Sequence, residues 1–285
     1  SFSRCLNIVN FLAARLSGRR VKTVMTVISQ LGKPAELEPS FGWVIWRILE
    51  RKVYPKADLL LCNSAASAAE AVNIYGCKME KVKVVRNFVL IEKIREKILS
   101  TQIKSSQEYG SYFLGVGRFV KPKGFEYFLK AFALIRGKIN LNLVMAGDGP
   151  LLPEMRKLAE QLGISRQVFF LGWVDDVIPL HKNAIALIAP SYHEGLPYSI
   201  LEALACGTPV VTTRCTSWID GFEEKGACIT VPIGDINSLS EAMLRVATDE
   251  GLRKRLGDNA QRVIMEFSKE KVLAEREALL RKVLQ

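Results

Sequence analysis

The chain has 285 residues, 49% hydrophobic and 24% charged, enough for one large or two smaller packed domains and too apolar for an intrinsically disordered chain. Six scattered cysteines without a Cys-x-x-Cys pair, and only two histidines, His181 and His193, argue against a zinc site, a disulfide scaffold or a redox dithiol. The net charge of +11 is lopsided: residues 1–100 hold 17 Lys/Arg against 8 Asp/Glu, a net +9, and the other 185 residues only +2.

A basic first segment suits an anionic partner, either a membrane surface or a charged acceptor, and equally suits a solvated face that keeps the protein soluble. Nucleic acid is not expected, because no helix-turn-helix, zinc or aromatic RNA-binding pattern accompanies the charge. No apolar run approaches the ~20 residues that span a bilayer. The first residue is Ser1 and no signal-peptide pattern follows it, so the sequence reads as an internal fragment or trimmed product. Cysteines within apolar runs are expected to be buried and inert, in a cytoplasmic compartment.

In chain order, short β-branched or Leu-rich runs predict strands over 21–28, 58–62, 83–86, 112–116, 141–146, 168–171, 184–189 and 209–213. Amphipathic stretches between them, such as 65–75, 125–135, 152–162 and 198–205, predict helices. Apolar strands alternating with helices indicate parallel sheets buried on both faces, a doubly wound α/β fold. A Ser/Gln/Lys-rich stretch at 100–110 reads as an inter-domain linker. After Gly234-Asp235 the pattern is helical to the end, closing with a charged amphipathic helix over 269–284.

Ligands of such sheets bind where strands run into helix-bound loops, and four loops stand out. Residues 115–124, Gly-Val-Gly-Arg-Phe-Val-Lys-Pro-Lys-Gly, fail the dinucleotide fingerprint because Val120 stands where its third glycine belongs. They offer instead Arg118 and Lys123, two cations able to stabilise a diphosphate, beside Gly117, where a backbone can approach closely. Taken alone, these cations also fit a solvated surface. Residues 146–150, Ala-Gly-Asp-Gly-Pro, include Gly147 and, alone, fit a generic tight turn. Residues 171–176, Leu-Gly-Trp-Val-Asp-Asp, present backbone at Val174 to a nucleobase edge, or simply hold Trp173 as interior packing.

The fourth loop is the most specific. Residues 190–211 read Pro-Ser-Tyr-His-Glu-Gly-Leu-Pro-Tyr-Ser-Ile-Leu-Glu-Ala-Leu-Ala-Cys-Gly-Thr-Pro-Val-Val. Pro197 suits a helix start, which leaves the Tyr198 and Ser199 amides unpaired at a positive dipole end. Glu194 precedes the helix, and Glu202 lies within it among apolar neighbours, where a carboxylate needs donors such as sugar hydroxyls. His193 fits either a general base or a packing residue.

Glu194-x7-Glu202 followed by Gly-Thr-Pro-Val-Val resembles the signature of the group 1 family of retaining GT-B glycosyltransferases. Arg118 and Lys123 match that family's phosphate clamp, and the loops at 146–150 and 171–174 match its lesser motifs in order. The resemblance covers about 57–285. It implies two Rossmann-like doubly wound domains: a partial N-terminal, acceptor-side domain over 1–100, a complete nucleotide-sugar-binding domain over 101–268, and a helix over 269–285 crossing back. Arg118, Lys123 and Glu194 would be catalytic. Gly117, Gly147, Val174, Leu196, Tyr198, Ser199 and Glu202 would bind the donor, with Glu194 on the transferred sugar and Glu202 on the ribose.

The implied reaction moves a sugar from a nucleotide-diphosphate sugar to a glycan or lipid-linked acceptor with retention. It needs no metal or cofactor, at a cytoplasmic, peripheral membrane location, and a fragment of this kind is expected to be inactive alone. The alternative is a non-catalytic nucleotide-sugar-binding subunit needing a partner chain. Epimerase or phosphorylase chemistry would need a histidine or cofactor-lysine set that is missing. Three departures stand out: most of the N-terminal domain is missing, no histidine ends the segment 26–29, and no Gly-rich segment follows Val211.

Overall fold

A computed structural model describes residues 4–19, 21–27, 41–100 and 108–284. The chain divides into two compact units, residues 1–88 with 270–285, and residues 89–269.

The first unit holds a three-stranded parallel sheet in the order β1 (Val24–Val27), β2 (Leu59–Cys62), β3 (Val82–Val84). Strand alternation sends successive residues to opposite faces. Met25, Val27, Leu60 and Cys62 join one core with Ile8, Phe11, Val53 and Tyr54. Those four come from the region of α1 (Arg4–Leu16) and α2 (Phe41–Val53). Leu59 and Leu61 face the other way, onto Val85 and Val272. The final helix therefore covers the second face of this sheet. Its Arg276 donates to the Arg86 carbonyl at 2.8 Å, and Arg86 pairs with Glu275 at 3.0 Å. Glu50 is fully buried and accepts from the Tyr54 and Tyr75 hydroxyls at 3.3 and 3.2 Å, so this interior carboxylate keeps donors. The third helix, α3 (Ala65–Asn73), starts under a Ser64 side-chain cap to the Ser67 amide. Ile28 and Ser29, where the sequence lacks the family's histidine, lie outside the described residues.

The chain enters the second unit at Val89, ahead of the polar stretch at 100–110, because Ile91 and Ile94 of α4 (Ile91–Ser100) belong to that unit's core. Six parallel strands follow, in the order β6 (Val168–Gly172), β5 (Asn142–Ala146), β4 (Tyr112–Val116), β7 (Ala186–Ala189), β8 (Val210–Thr213), β9 (Ile229–Val231). Both faces are buried, as parallel sheets require. Tyr112, Leu114, Val144 and Leu187 lie in one core, and Phe113, Leu143, Met145, Ala186 and Ile188 in the other. After α4, further helices of this unit among the described residues are α5 (Phe125–Ile135), α6 (Leu152–Gln161), α7 (Ile178–Asn183), α8 (Tyr198–Cys206), α9 (Ser217–Glu224), α10 (Ile236–Thr248) and α11 (Glu250–Ile264); α12 (Lys269–Leu284) is the helix packed on the first unit.

Strand β9 is absent from the sequence expectations. Its three residues, between a Gly226 turn and Pro232, are too few to display a period. Five of the six cysteines are buried and Cys5 is exposed; burial pushes the Cys62 and Cys206 thiols up to about 12. Among the described residues no helix is long and apolar enough to cross a membrane.

Candidate functional site

The strand order fixes where a ligand can enter. From β4 the chain winds outward through β5 and β6, then returns to β7 on the other side of β4 and winds away through β8 and β9. The loops after β4 and β7 therefore diverge, opening the crevice at which doubly wound sheets bind ligands. Those loops are 117–124 and 190–197, the two that carry Lys123 and Glu194.

Close backbone approaches tie these loops together. The Gly117 amide donates to the Ala146 carbonyl at 3.0 Å, the Phe119 amide to Asp148 at 2.9 Å, the Gly147 amide to Gly172 at 2.7 Å and the Tyr192 amide to Pro122 at 2.8 Å. Gly147 has φ +140°, and a Cβ there would collide with the Gly117 carbonyl oxygen. Gly124, at φ +64°, likewise leaves no room for a Cβ beside the Pro190 carbonyl oxygen.

Lys123 and Glu194 meet across the crevice: Lys123 Nζ lies 2.5 Å from Glu194 Oε1, with side chains 23% and 15% exposed. The buried Ser191 hydroxyl donates to the same oxygen at 3.0 Å. Thr213 at the end of β8 donates to the Ser191 carbonyl, and Thr216 to the Gly195 carbonyl at 2.8 Å. The loop is thus held from beneath, with Glu194 Oε1 loaded by a cation and a hydroxyl. Arg118 is exposed and makes no side-chain hydrogen bond or ion pair among the described residues.

Helix α8 begins at Tyr198 with Pro197 as its N-cap and no side-chain cap, so its first amides keep their partial positive charge. Leu196 is buried, Tyr198 exposed and Ser199 half-buried. One turn further on, Glu202 sits 28% exposed, its Oε2 3.8 Å from Nε2 of the fully buried His181. Burial pushes its carboxyl up to about 7; Asp176 adds to the rise, and Lys97 opposes it. Lys97 itself reaches from α4 to Asp176 Oδ2 at 2.9 Å.

Val174 is half-buried against the core. Trp173 is 78% exposed and donates its indole N–H to Asp175 at 2.8 Å, which corrects the interior-packing alternative: in this loop it is Val174 that packs on the core, while the indole lies in solvent with its N–H held by Asp175. His193 is exposed. Among the described residues no group of three or more His, Cys, Asp or Glu could hold a metal. Sequence reasoning missed Ser191, Lys97, Asp176 and His181. Only His181 carried a signal, being one of two histidines and lying just before a buried strand.

The family profile described as "Glycosyl transferases group 1" matches residues 98–263, more than half of the chain. This chain is a group 1 glycosyltransferase family member. Residues 4–93 match a second profile, "Glycosyltransferase Family 4". Among curated relatives of this group 1 chain, the lipopolysaccharide core biosynthesis glycosyltransferase LpsE of Rhizobium meliloti is 32% identical over 226 residues, 77% of this chain and 63% of its own length. A Campylobacter jejuni enzyme named N-acetylgalactosamine-N,N'-diacetylbacillosaminyl-diphospho-undecaprenol 4-alpha-N-acetylgalactosaminyltransferase is 28% identical, covering 94% of this chain and 72% of its own. Anabaena HepE, solved with UDP and glucose, superimposes with a TM-score of 0.84 at 20% identity, over 99% of this chain and 77% of HepE. That likeness shows the fold: two parallel Rossmann-like sheets, three-stranded and six-stranded, in a GT-B-like two-domain arrangement.

Proposed function

We propose that this chain supplies the donor site of a retaining glycosyltransferase. The parent enzyme moves a sugar from a nucleoside-diphosphate sugar to a glycan or lipid-linked glycan, without a metal. The observation that carries this reading is the meeting of Lys123 and Glu194 at the β4/β7 crevice, next to the uncapped start of α8. A diphosphate fits that corner because fixed cations and free amides favour anions there. Glu194 Oε2, on the carboxylate whose Oε1 is already loaded, faces the transferred sugar's hydroxyls, and Glu202 accepts from the ribose. Gly117, Gly147, Leu196, Tyr198 and Ser199 offer backbone to phosphate and sugar, and Val174 to the base.

In the reaction, the bond between the sugar's anomeric carbon and the diphosphate oxygen breaks. Arg118 and Lys123 stabilise the charge that develops on the leaving group. The acceptor hydroxyl forms the new bond from the same face, and its proton passes to the departing phosphate oxygen. This returns the original anomeric configuration and needs no protein base, so the exposed His193 stands outside the chemistry. The names of LpsE and of the Campylobacter enzyme, and the UDP and glucose held by HepE, support this class of donor and acceptor.

Calorimetric titration of UDP, GDP and ADP without divalent metal tests the donor site. One of them should bind, and Glu202→Ala should weaken it by about 10–100-fold, since hydrogen bonds to a charged group contribute about 1.5–3 kcal/mol. A folded protein that binds none of the three would sink the reading.

The lipid-linked acceptor joins this reading to the basic first segment, for a peripheral, cytoplasmic-face location. Helix α2 ends in Arg51 and Lys52, followed by Lys56, and exposes Ile45 and Ile48; α1 exposes Leu6, Val9, Leu12 and Leu16 and is followed by Arg19. Arg20 lies outside the described residues. Sedimentation should show stronger binding to vesicles containing anionic lipid than to neutral ones; equal binding to both removes the membrane from the proposal.

A further inference from the structure

His181 has an unusual position for an imidazole. It is 0% exposed, and neither ring nitrogen has a hydrogen-bond partner. Its backbone is anchored: the His181 amide donates to the Val177 carbonyl at 3.0 Å, and its carbonyl accepts from the Thr208 hydroxyl at 2.7 Å. An orphaned buried polar group costs about 1–3 kcal/mol, so a leucine would serve packing better. Burial depresses the ring to about 3, leaving it neutral with a single N–H. Glu202 Oε2 lies 3.8 Å from Nε2, just beyond hydrogen-bond distance.

We infer that His181 is a positioning residue for Glu202: its Nε2–H donates to Oε2 from the buried side, leaving Oε1 free to accept from the vicinal diol of a ribose. This rests on Glu202 as the ribose acceptor. The charged and titratable groups around Glu202 are Asp176 from the loop after β6, Lys97 from α4, Cys206 one turn along α8, and His181 itself from α7, with Lys182 beyond it near Cys206. Asp176 repels the carboxylate and is itself engaged by Lys97, so a neutral donor on the buried side is the group that can fix the carboxylate's orientation. A donor to the ionised form favours ionisation, and a protonated Glu202 would lose an acceptor site.

The test follows the Glu202 carboxyl by carbon-13 NMR in the unliganded chain, assigned through Glu202→Gln. Burial and Asp176, opposed by Lys97 and without a donor from His181, put the carboxyl at about 7, so with His181 donating the wild type should titrate below that value. His181→Leu should move the midpoint up by about one pH unit, to near 7, and weaken the bound nucleotide several-fold at pH 7. His181→Gln, which can still donate, should restore most of both. Nitrogen-15 shifts of the wild-type ring should report the Nε2–H tautomer, and this reading survives even where a variant fails to fold. A merely structural histidine would change the melting temperature of the variants and leave the Glu202 titration where it was. That outcome, or an Nδ1–H tautomer, overturns the inference while leaving the donor site intact. A shifted Glu202 midpoint in a protein that binds no nucleotide would instead sink the donor reading and with it the ribose role, leaving only the pair.

Discussion

Replacing Lys123 by Met should lower the affinity for the nucleoside diphosphate by about 10–100-fold and leave the affinity for the bare nucleoside unchanged. A charge-assisted bond to phosphate is worth roughly twice a neutral one, and each 1.4 kcal/mol is about tenfold. The same change should destabilise the second unit, because Glu194 is 15% exposed and, among the described residues, would keep Ser191 as its side-chain donor. Stranding a mostly buried carboxylate costs about 1–3 kcal/mol, short of the larger penalty for a fully buried pair. For a unit of this size, where each kcal/mol moves the midpoint by about 2–4 °C, that is a fall of about 2–12 °C in melting temperature. The double variant Lys123→Met/Glu194→Gln separates the two effects. Removing the stranded charge should return most of the stability, and the diphosphate affinity should stay low. Unchanged diphosphate affinity in a Lys123→Met protein that melts early would mean that Lys123 serves Glu194 alone and that the anion sits elsewhere.

That cycle turns on a contact spanning 71 positions of sequence, which marks the limit of what the sequence displays. Strands 112–116 and 142–146 are legible because apolar runs end in Gly-rich turns, and both faces of the sheet need apolar residues. The loops after them are legible for the same reason, since glycine and proline punctuate them. What the loops do to one another is not. Nothing local says that Ser191 and Lys123 share one oxygen of Glu194, or that the Gly147 backbone lies against Gly117. Composition also misleads where packing decides. The polar stretch at 100–110 resembles a linker, yet the chain joins the second unit at Val89, because Ile91 and Ile94 find their apolar partners there. His181 escapes a sequence reading for a related reason. Its rarity and its place before a buried strand single it out, but nothing in Ile-Pro-Leu-His-Lys-Asn says that the ring lies beside Glu202, 21 positions on.

Glu202 is where stability and ligand binding should part company, and Glu202→Gln should divide them. In the folded unit burial raises the carboxyl from an ordinary 4.5 to about 7, with Asp176 adding to the rise and Lys97 opposing it. A raised folded value means that the favourable contribution is complete below pH 4.5 and is lost as pH rises through 7. Above pH 7 both the folded and unfolded chains are ionised and the loss is constant. With the side chain 28% exposed, solvent screening trims the difference to about 2–3 kcal/mol. The glutamine variant carries no such charge. Its unfolding free energy should match the wild type near pH 4.5, pull ahead between 4.5 and 7, and hold a lead of about 2–3 kcal/mol at pH 8. Its affinity for nucleotide should meanwhile fall by about tenfold or more, because an amide offers the ribose diol one neutral acceptor in place of a charged one. Urea unfolding at pH 4.5 and pH 8, beside calorimetry at pH 8, reads both. A variant no more stable than wild type at pH 8 would place Glu202 in a better-solvated setting than this site provides. A variant that gains stability and binds as before would leave the raised carboxyl real but without a part in the donor site. Gain in one and loss in the other is the expected pattern of a carboxylate kept where the fold pays to hold it ionised, for a ligand that uses the charge.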